Sequence, residues 1–157
     1  MVKRTYTTAS IEVHWNSELC IHSAHCLEAL PRVFDTRVRP WVNVTAATAD
    51  EIAAAIETCP TGALTYSRAD GAPGEAMPPV TTVVPMPNGP NYVRGSLEVK
   101  DADGETSLVG PRAALCRCGA SENQPFCDRS HVRIRFRDNP KVVAPDRGDA
   151  DAPGTAG

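Results

Sequence analysis

Cys116-Arg117-Cys118, followed after eight residues by Cys127-Asp128-Arg129-Ser130-His131, is the feature that most restricts this chain. Three thiols and an imidazole this close in sequence make a metal site. Two cysteines with one residue between them reach disulfide geometry only under strain, yet both can turn toward one ion or cluster. The four-residue step from Cys127 to His131 predicts a helix that carries both side chains on one face. By spacing alone, a Cys3His set suits either a structural zinc ion or an iron–sulfur cluster with one histidine ligand.

The residues around these four narrow the choice. Leu115 through His131 closely resembles the CDGSH iron–sulfur domain family, over about residues 80–138. The family pattern is C-x-C, two residues, Ser or Thr, three residues, Pro, one residue, then C-D-G-S-H. Ser121, Pro125, Cys127, Asp128, Ser130 and His131 match it, and Arg129 replaces the glycine. The resemblance implies a [2Fe–2S] cluster on Cys116, Cys118, Cys127 and His131, beside a small β-cap and a cluster-binding loop and helix. Arginine at 129 is strained if that position needs a positive φ. It is tolerated in the first turn of the helix carrying Cys127 and His131, and this second placement is expected.

A second constellation lies near the start. Cys20-Ile21-His22-Ser23-Ala24-His25-Cys26 gives C-x5-C, and Cys59-Pro60 follows after a helical segment. A C-x2-C-x2-C loop with a distant Cys-Pro holds clusters in bacterial ferredoxins, and Ser23 stands here where the middle cysteine would be. The stretch from Cys20 through Pro31, Phe34, Asp35 and Arg39-Pro40-Trp41 to Cys59-Pro60-Thr61-Gly62-Ala63-Leu64 is similar to divergent single-cluster bacterial ferredoxin domains. That likeness covers about residues 5–67. It implies a [3Fe–4S] cluster on Cys20, Cys26 and Cys59, or a [4Fe–4S] cluster whose remaining iron takes Ser23 or His22. Three ordinary buried cysteines are the alternative.

The resulting fold expectation is α+β, a ferredoxin-like single-cluster domain joined to a CDGSH domain. The expected divisions are 1–68, a Pro/Gly-rich linker at 69–79, 80–140, and a disordered tail at 141–157 rich in Asp, Pro, Gly and Ala. With 157 residues, each half holds a marginal core that a metal staple would help. The aromatic content of 5% points the same way, so bound clusters would contribute to folding as well as function.

Local patterns place both sites. Thr48-Ala49-Asp50-Glu51 is a capping box, and Ile52, Ala55, Ile56 and Cys59 then recur on one helical face. Pro60 disfavours helix at Cys59, and Ala63–Tyr66 should pair with a strand running from about Arg4 to Val13. A helix over Ala24–Leu30 should place Leu27, Leu30 and Phe34 in the core. Further strands are expected over Val80–Val84, Tyr92–Val99 and Arg112–Leu115, with Asp101-Ala102-Asp103-Gly104 as a hairpin turn.

Other classes find little support. Met1 to Thr8 shows no apolar signal region, and no apolar run approaches the roughly eighteen residues of a membrane span. Six cysteines are therefore read as reduced thiols of a cytoplasmic protein. A net charge of −3 gives no nucleic-acid surface. Pro87-Asn88-Gly89-Pro90 is a turn rather than a phosphate cradle, and no nucleophile–base set is visible. His14, His22 and His25 lie near the first site as surface or supporting residues. Arg117, Arg129, Arg133, Arg135 and Arg137 surround the second, either as a solvated face balancing Asp128 and Asp138 or as a patch for an acidic partner.

The expected function is one-electron shuttling by a non-catalytic two-cluster carrier. Its partner, as for similar bacterial ferredoxins, would be an oxidoreductase such as a reductase, a cytochrome P450 or another oxygenase. Cluster storage, transfer or redox sensing is one alternative, and a small catalytic iron–sulfur subunit is another. Some CDGSH proteins form intertwined dimers, so a homodimer through that domain is also implied.

Overall fold

The structure is a computed structural model that describes residues 2–138. The tail expected at 141–157 lies outside the described residues. Among the described residues the architecture is α+β, with two three-stranded antiparallel sheets and three short helices.

The first sheet has the order β1 (Lys3–Thr7), β2 (Ile11–Asn16), β3 (Leu64–Arg68). The single strand expected from Arg4 to Val13 is in fact a hairpin. Thr8 Oγ1 accepts the backbone N–H groups of Ser10 and Ile11, 3.2 Å each, and this local turn breaks the strand. Only β2 pairs with β3, Val13 opposite Tyr66 and Trp15 opposite Leu64. Ile11 and Val13 face inward at period two and are buried.

Helix α2 (Ala49–Glu57) packs against β3 of that sheet, and helix α1 (His25–Ala29) packs against α2. The capping box forms, with Glu51 N–H donating to Thr48 Oγ1 (3.3 Å) and Thr48 N–H to the Glu51 carboxylate (3.0 Å). Ile52, Ala55 and Ile56 point into a core shared with Leu30, Phe34 and Trp41, which leaves Cys59 buried just beyond the helix end. Trp15 and Trp41 meet edge to face at 5.3 Å.

The second sheet has the order β4 (Thr82–Pro85), β5 (Asn91–Lys100), β6 (Thr106–Leu115). Strand β4 starts two residues later than expected, and β6 begins six residues earlier, directly after the Asp-Gly turn. Asp101 Oδ1 holds that turn by accepting N–H groups from Asp103 and Glu105, 3.0 Å each, and Gly104 supplies its positive φ of 86°. This sheet buries little: Val93, Ala113 and Ala114 are covered, whereas Val83, Val84 and Val109 are exposed. Helix α3 (Ser130–Arg133) ends the described fold.

One buried arginine joins the two sheets. Arg112 on β6 is 1% exposed. Its guanidinium donates to the carbonyl oxygens of Ile56 (2.8 Å), Cys59 and Leu64 (3.1 Å) in the first half. It also forms a two-pronged ion pair with Glu75, at 2.8 and 2.6 Å. Glu75 belongs to the Pro/Gly-rich stretch, so a segment without strand or helix supplies the counter-charge. The backbones also approach closely, since a Cβ built on Gly62 would lie 2.7 Å from Arg112 O.

Candidate metal centres

The second site is built where β6 runs into its loop. Cys116 N–H donates to Pro125 O (2.8 Å) and Cys127 N–H to Ala114 O (2.9 Å), so the strand pairing continues past Leu115 and fixes both cysteines. Ser121 Oγ donates to Phe126 O (2.7 Å) and accepts the N–H of Asn123 (3.1 Å), closing the loop between the cysteine segments.

The four side chains meet as two pairs. Cys116 Sγ lies 3.8 Å from Cys118 Sγ, and Cys127 Sγ lies 3.4 Å from His131 Nδ1. A tetrahedral metal about 2.3 Å from each sulfur holds two thiolates about 3.8 Å apart, and a thiolate and an imidazole about 3.5 Å apart. Each pair thus has the spacing of two corners around one metal. Among the described residues, no three His, Cys, Asp or Glu groups converge on a single ion position. All six cysteines are free thiols.

Cys127 and His131 do not meet through the expected helix. Helix α3 begins at Ser130, and Cys127 precedes it. A carboxylate makes the turn instead: Asp128 accepts from Ser130 N–H and Glu122 N–H, each at 2.9 Å. Burial opposes ionisation of Asp128, but these backbone donors, with the Ser130 and Ser121 hydroxyls, outweigh it and hold its pKa at about 2.

Arg129 is likewise not in the first helical turn. It is the N-cap, with φ 72° and ψ 8°, in the left-handed region that glycine enters freely. Its N–H donates to Cys127 Sγ at 3.4 Å, so the strained residue aims a donor at a candidate ligand. Arg129→Gly should stabilise the protein by about 0.5–1 kcal/mol, the left-handed penalty less glycine's extra unfolded-state freedom. Urea unfolding of the cluster-loaded protein measures this, and a lower midpoint would show that the guanidinium outweighs the backbone strain.

Electrostatics favour a bound cation. Burial raises the Cys127 pKa, and the Cys116, Asp128 and Cys118 charges add to the rise. Burial lowers that of His131, helped by Arg129 and opposed by Asp128, and so favours the neutral imidazole that ligates. Crowded buried thiolates need compensating positive charge, which a metal provides.

In the first half, Cys20, Cys26 and Cys59 line a cavity of about 420 Å³, walled by Trp15, Trp41 and Leu27. A water molecule takes up about 30 Å³, so the space suits a multi-atom group better than one ion. Burial pushes the Cys26 thiol up to about 11, with the Cys59 and Cys20 charges adding to the rise. Cys59 and Cys20 are therefore close enough to Cys26 to disfavour its ionisation. Cys59 Sγ lies 3.6 Å from Thr61 Oγ1.

The cysteine loop bends through two left-handed residues, His22 (φ 53°) and Ala24 (φ 64°), with Ser23 between them. Both Ser23 and His22 line the cavity, and His22 Nδ1 is 3.9 Å from Cys20 Sγ. The other two histidines serve the scaffold. His25 Nδ1 lies 3.0 Å from Thr58 O, and His14 contacts Ser67 and Thr5 across the sheet.

Two features were not anticipated from the residues alone. Arg112 holds the Cys59 carbonyl, and its one local signal is a charge at the head of the apolar run Ala113-Ala114-Leu115. Ile21, an apolar residue in a polar loop, packs against Ala114 and Cys127. Arg117 also departs from the expected basic patch. It turns inward to donate to Met86 O (2.7 Å) and Gly89 O (2.9 Å), pairs with Asp138, and stacks over Phe136 at 5.2 Å.

Two thiol-rich sites, one beneath a small antiparallel sheet and one at the end of another, define an iron–sulfur protein when set beside known families. Residues 6–69 match the family described as divergent 4Fe-4S mono-cluster, and residues 88–132 match the iron-binding zinc finger of CDGSH type. The chain belongs to these iron–sulfur families as a fusion of the two domains. It is similar to the uncharacterized protein YjdI of Escherichia coli K12 and to that of strain O157:H7. Each is 33% identical over 63 residues, which span 40% of this chain and 83% of the relative. Among the described residues, no helix is long and apolar enough to cross a membrane.

Proposed function

We propose that this chain is a two-cluster electron carrier that moves single electrons to or from a partner oxidoreductase. In this reading Cys116, Cys118, Cys127 and His131 hold a [2Fe–2S] cluster. Cys20, Cys26 and Cys59 hold a [4Fe–4S] or [3Fe–4S] cluster, with Ser23 or His22 available to a fourth iron. The observation that carries the reading is the pairing of donors at the second site, one pair per iron. The clusters supply reversible one-electron chemistry. The chain orients the ligands, shields the sulfurs from water and sets the charge around each site.

Near His131 the exposed side chains include Arg129, Val132, Arg133, Ile134, Arg135 and Arg137, with the exposed Glu122 3.6 Å from Arg133 and the exposed Asp138 at the edge. This mixed apolar and basic face, without the inward-turned Arg117, suits transient contact with an acidic surface around an oxidoreductase's redox centre. His131 itself is half-buried, which also favours a second reading, release of the cluster to an acceptor. Cluster transfer to an apo-ferredoxin that outpaces reduction by a reductase would support that alternative.

The test of electron transfer is His131→Cys. A thiolate in place of neutral imidazole adds negative charge and should lower the second site's reduction potential, since histidine ligation is associated with the higher potentials of such clusters. Redox titration followed by electron paramagnetic resonance measures it. An unchanged potential would remove His131 from the ligand set.

A further inference from the structure

The loop that carries Cys20 touches the second site directly. Ile21, between Cys20 and His22, is 8% exposed and packs in one apolar cluster with Ala114 and Cys127, with Tyr92 against it. One residue therefore joins a candidate ligand of the first site covalently to the buried apolar cluster that holds a candidate ligand of the second. Tyr92 lies opposite Ala114 in the β5–β6 pairing and packs against the same cluster.

The junction is held from several sides. Asn123 Nδ2 donates to Glu18 O at 2.9 Å, tying the second-site loop to the chain just before Cys20. Arg112 grips the carbonyls of Cys59 and Leu64, and Gly62 meets the Arg112 backbone. Hydrogen bonds and dry packing on both sides of Ile21 set a fixed spacing between the two thiol groups.

We infer that the two sites form one intramolecular relay, in which an electron entering at the Cys20, Cys26, Cys59 site passes across the Ile21–Tyr92 contact to the Cys116, Cys118, Cys127, His131 site. The relay rests on the proposed function, because it needs a redox-active cluster at each end. A one-electron donor protein reduces the first site. That site returns to its oxidised state as the second gains the same electron, with no bond made or broken and no proton required. Direction follows from the ligands, since imidazole in place of thiolate raises the potential of the receiving end.

The test uses the full chain, loaded and purified without oxygen. With both sites reduced, the paramagnetic signal of the second should relax faster, or split, relative to Cys26→Ala, in which the first site is broken. After a flash-generated reductant delivers less than one electron per protein, the second site should gain its electron in a phase independent of protein concentration. Ile21→Gly should lose that fast phase while both spectra and both potentials persist, and Ile21→Val should retain it. Two non-interacting signals, or a transfer rate proportional to protein concentration, would overturn the relay even with both clusters intact and reducible. Failure of either site to take up an electron at all would instead defeat the two-cluster reading beneath it.

Discussion

Replacing Arg112 with methionine should cost about 3–5 kcal/mol of stability, the scale for removing one partner of a buried ion pair. The guanidinium is enclosed, and the Glu75 side chain that it neutralises is itself only 9% exposed. Methionine matches the stem and leaves a buried carboxylate with Arg94 as its remaining cation, 3.7 Å away. It also leaves the carbonyls of Ile56, Cys59 and Leu64 without this donor, and unsatisfied buried polar groups cost about 1–3 kcal/mol each. These costs overlap, so they do not sum.

Because Arg112 spans both sheets, the effect should change cooperativity as well as midpoint. The cluster-loaded parent should unfold in one urea transition, whereas Arg112→Met should show two, the first half separating from the second. Adding Glu75→Leu should recover part of the loss by removing the stranded charge. A single transition with a midpoint close to the parent's would mean that the halves are held together by other contacts.

Loss of metal should have the other large effect, and it should fall unequally on the two halves. The first half has a core of its own, from Ile11 and Val13 through Phe34 and Trp41 to Ile52 and Ile56. The second buries Val93, Ala113, Ala114, Phe126 and Cys127, and part of that cover comes from Ile21 of the other half. So small a core cannot offset the conformational entropy of two ten-residue strands. Structural metal binding contributes about 10–16 kcal/mol in zinc-finger peptides, more than such a core can replace.

Chelation, or Cys116→Ala, should therefore abolish amide-exchange protection along β5 and β6. Protection in β2 and α2 should fall less. Retained protection of β5 and β6 in metal-stripped protein would show that the sheet stands on packing alone.

The legible parts of this chain were those governed by neighbours in sequence. The Thr48–Glu51 box, the helix end before Pro60, the short helix before Pro31 and the Asp101–Gly104 turn all depend on groups a few residues apart. The closeness of Cys116 to Cys118 and of Cys127 to His131 was legible too, because these residues are only two and four positions apart. Elements decided by distant contacts were not. The Thr8 hydroxyl broke a strand that looked continuous. Asp128, by capping two N–H groups, folded Cys127 back on His131 without a shared helix. That same turn forced Arg129 into a conformation its side chain disfavours. The reach of Arg112 into the first half, and the burial of Ile21 in one cluster with Ala114 and Cys127, involve residues about fifty and one hundred positions apart, beyond any local pattern.

Chemical analysis of protein purified without oxygen tests the central claim most directly. Iron and acid-labile sulfide should both be present, and a stepwise redox titration should reveal two distinct paramagnetic centres, one of them lost in Cys26→Ala and the other in Cys116→Ala. Colourless protein that carries zinc and releases no sulfide would contradict it.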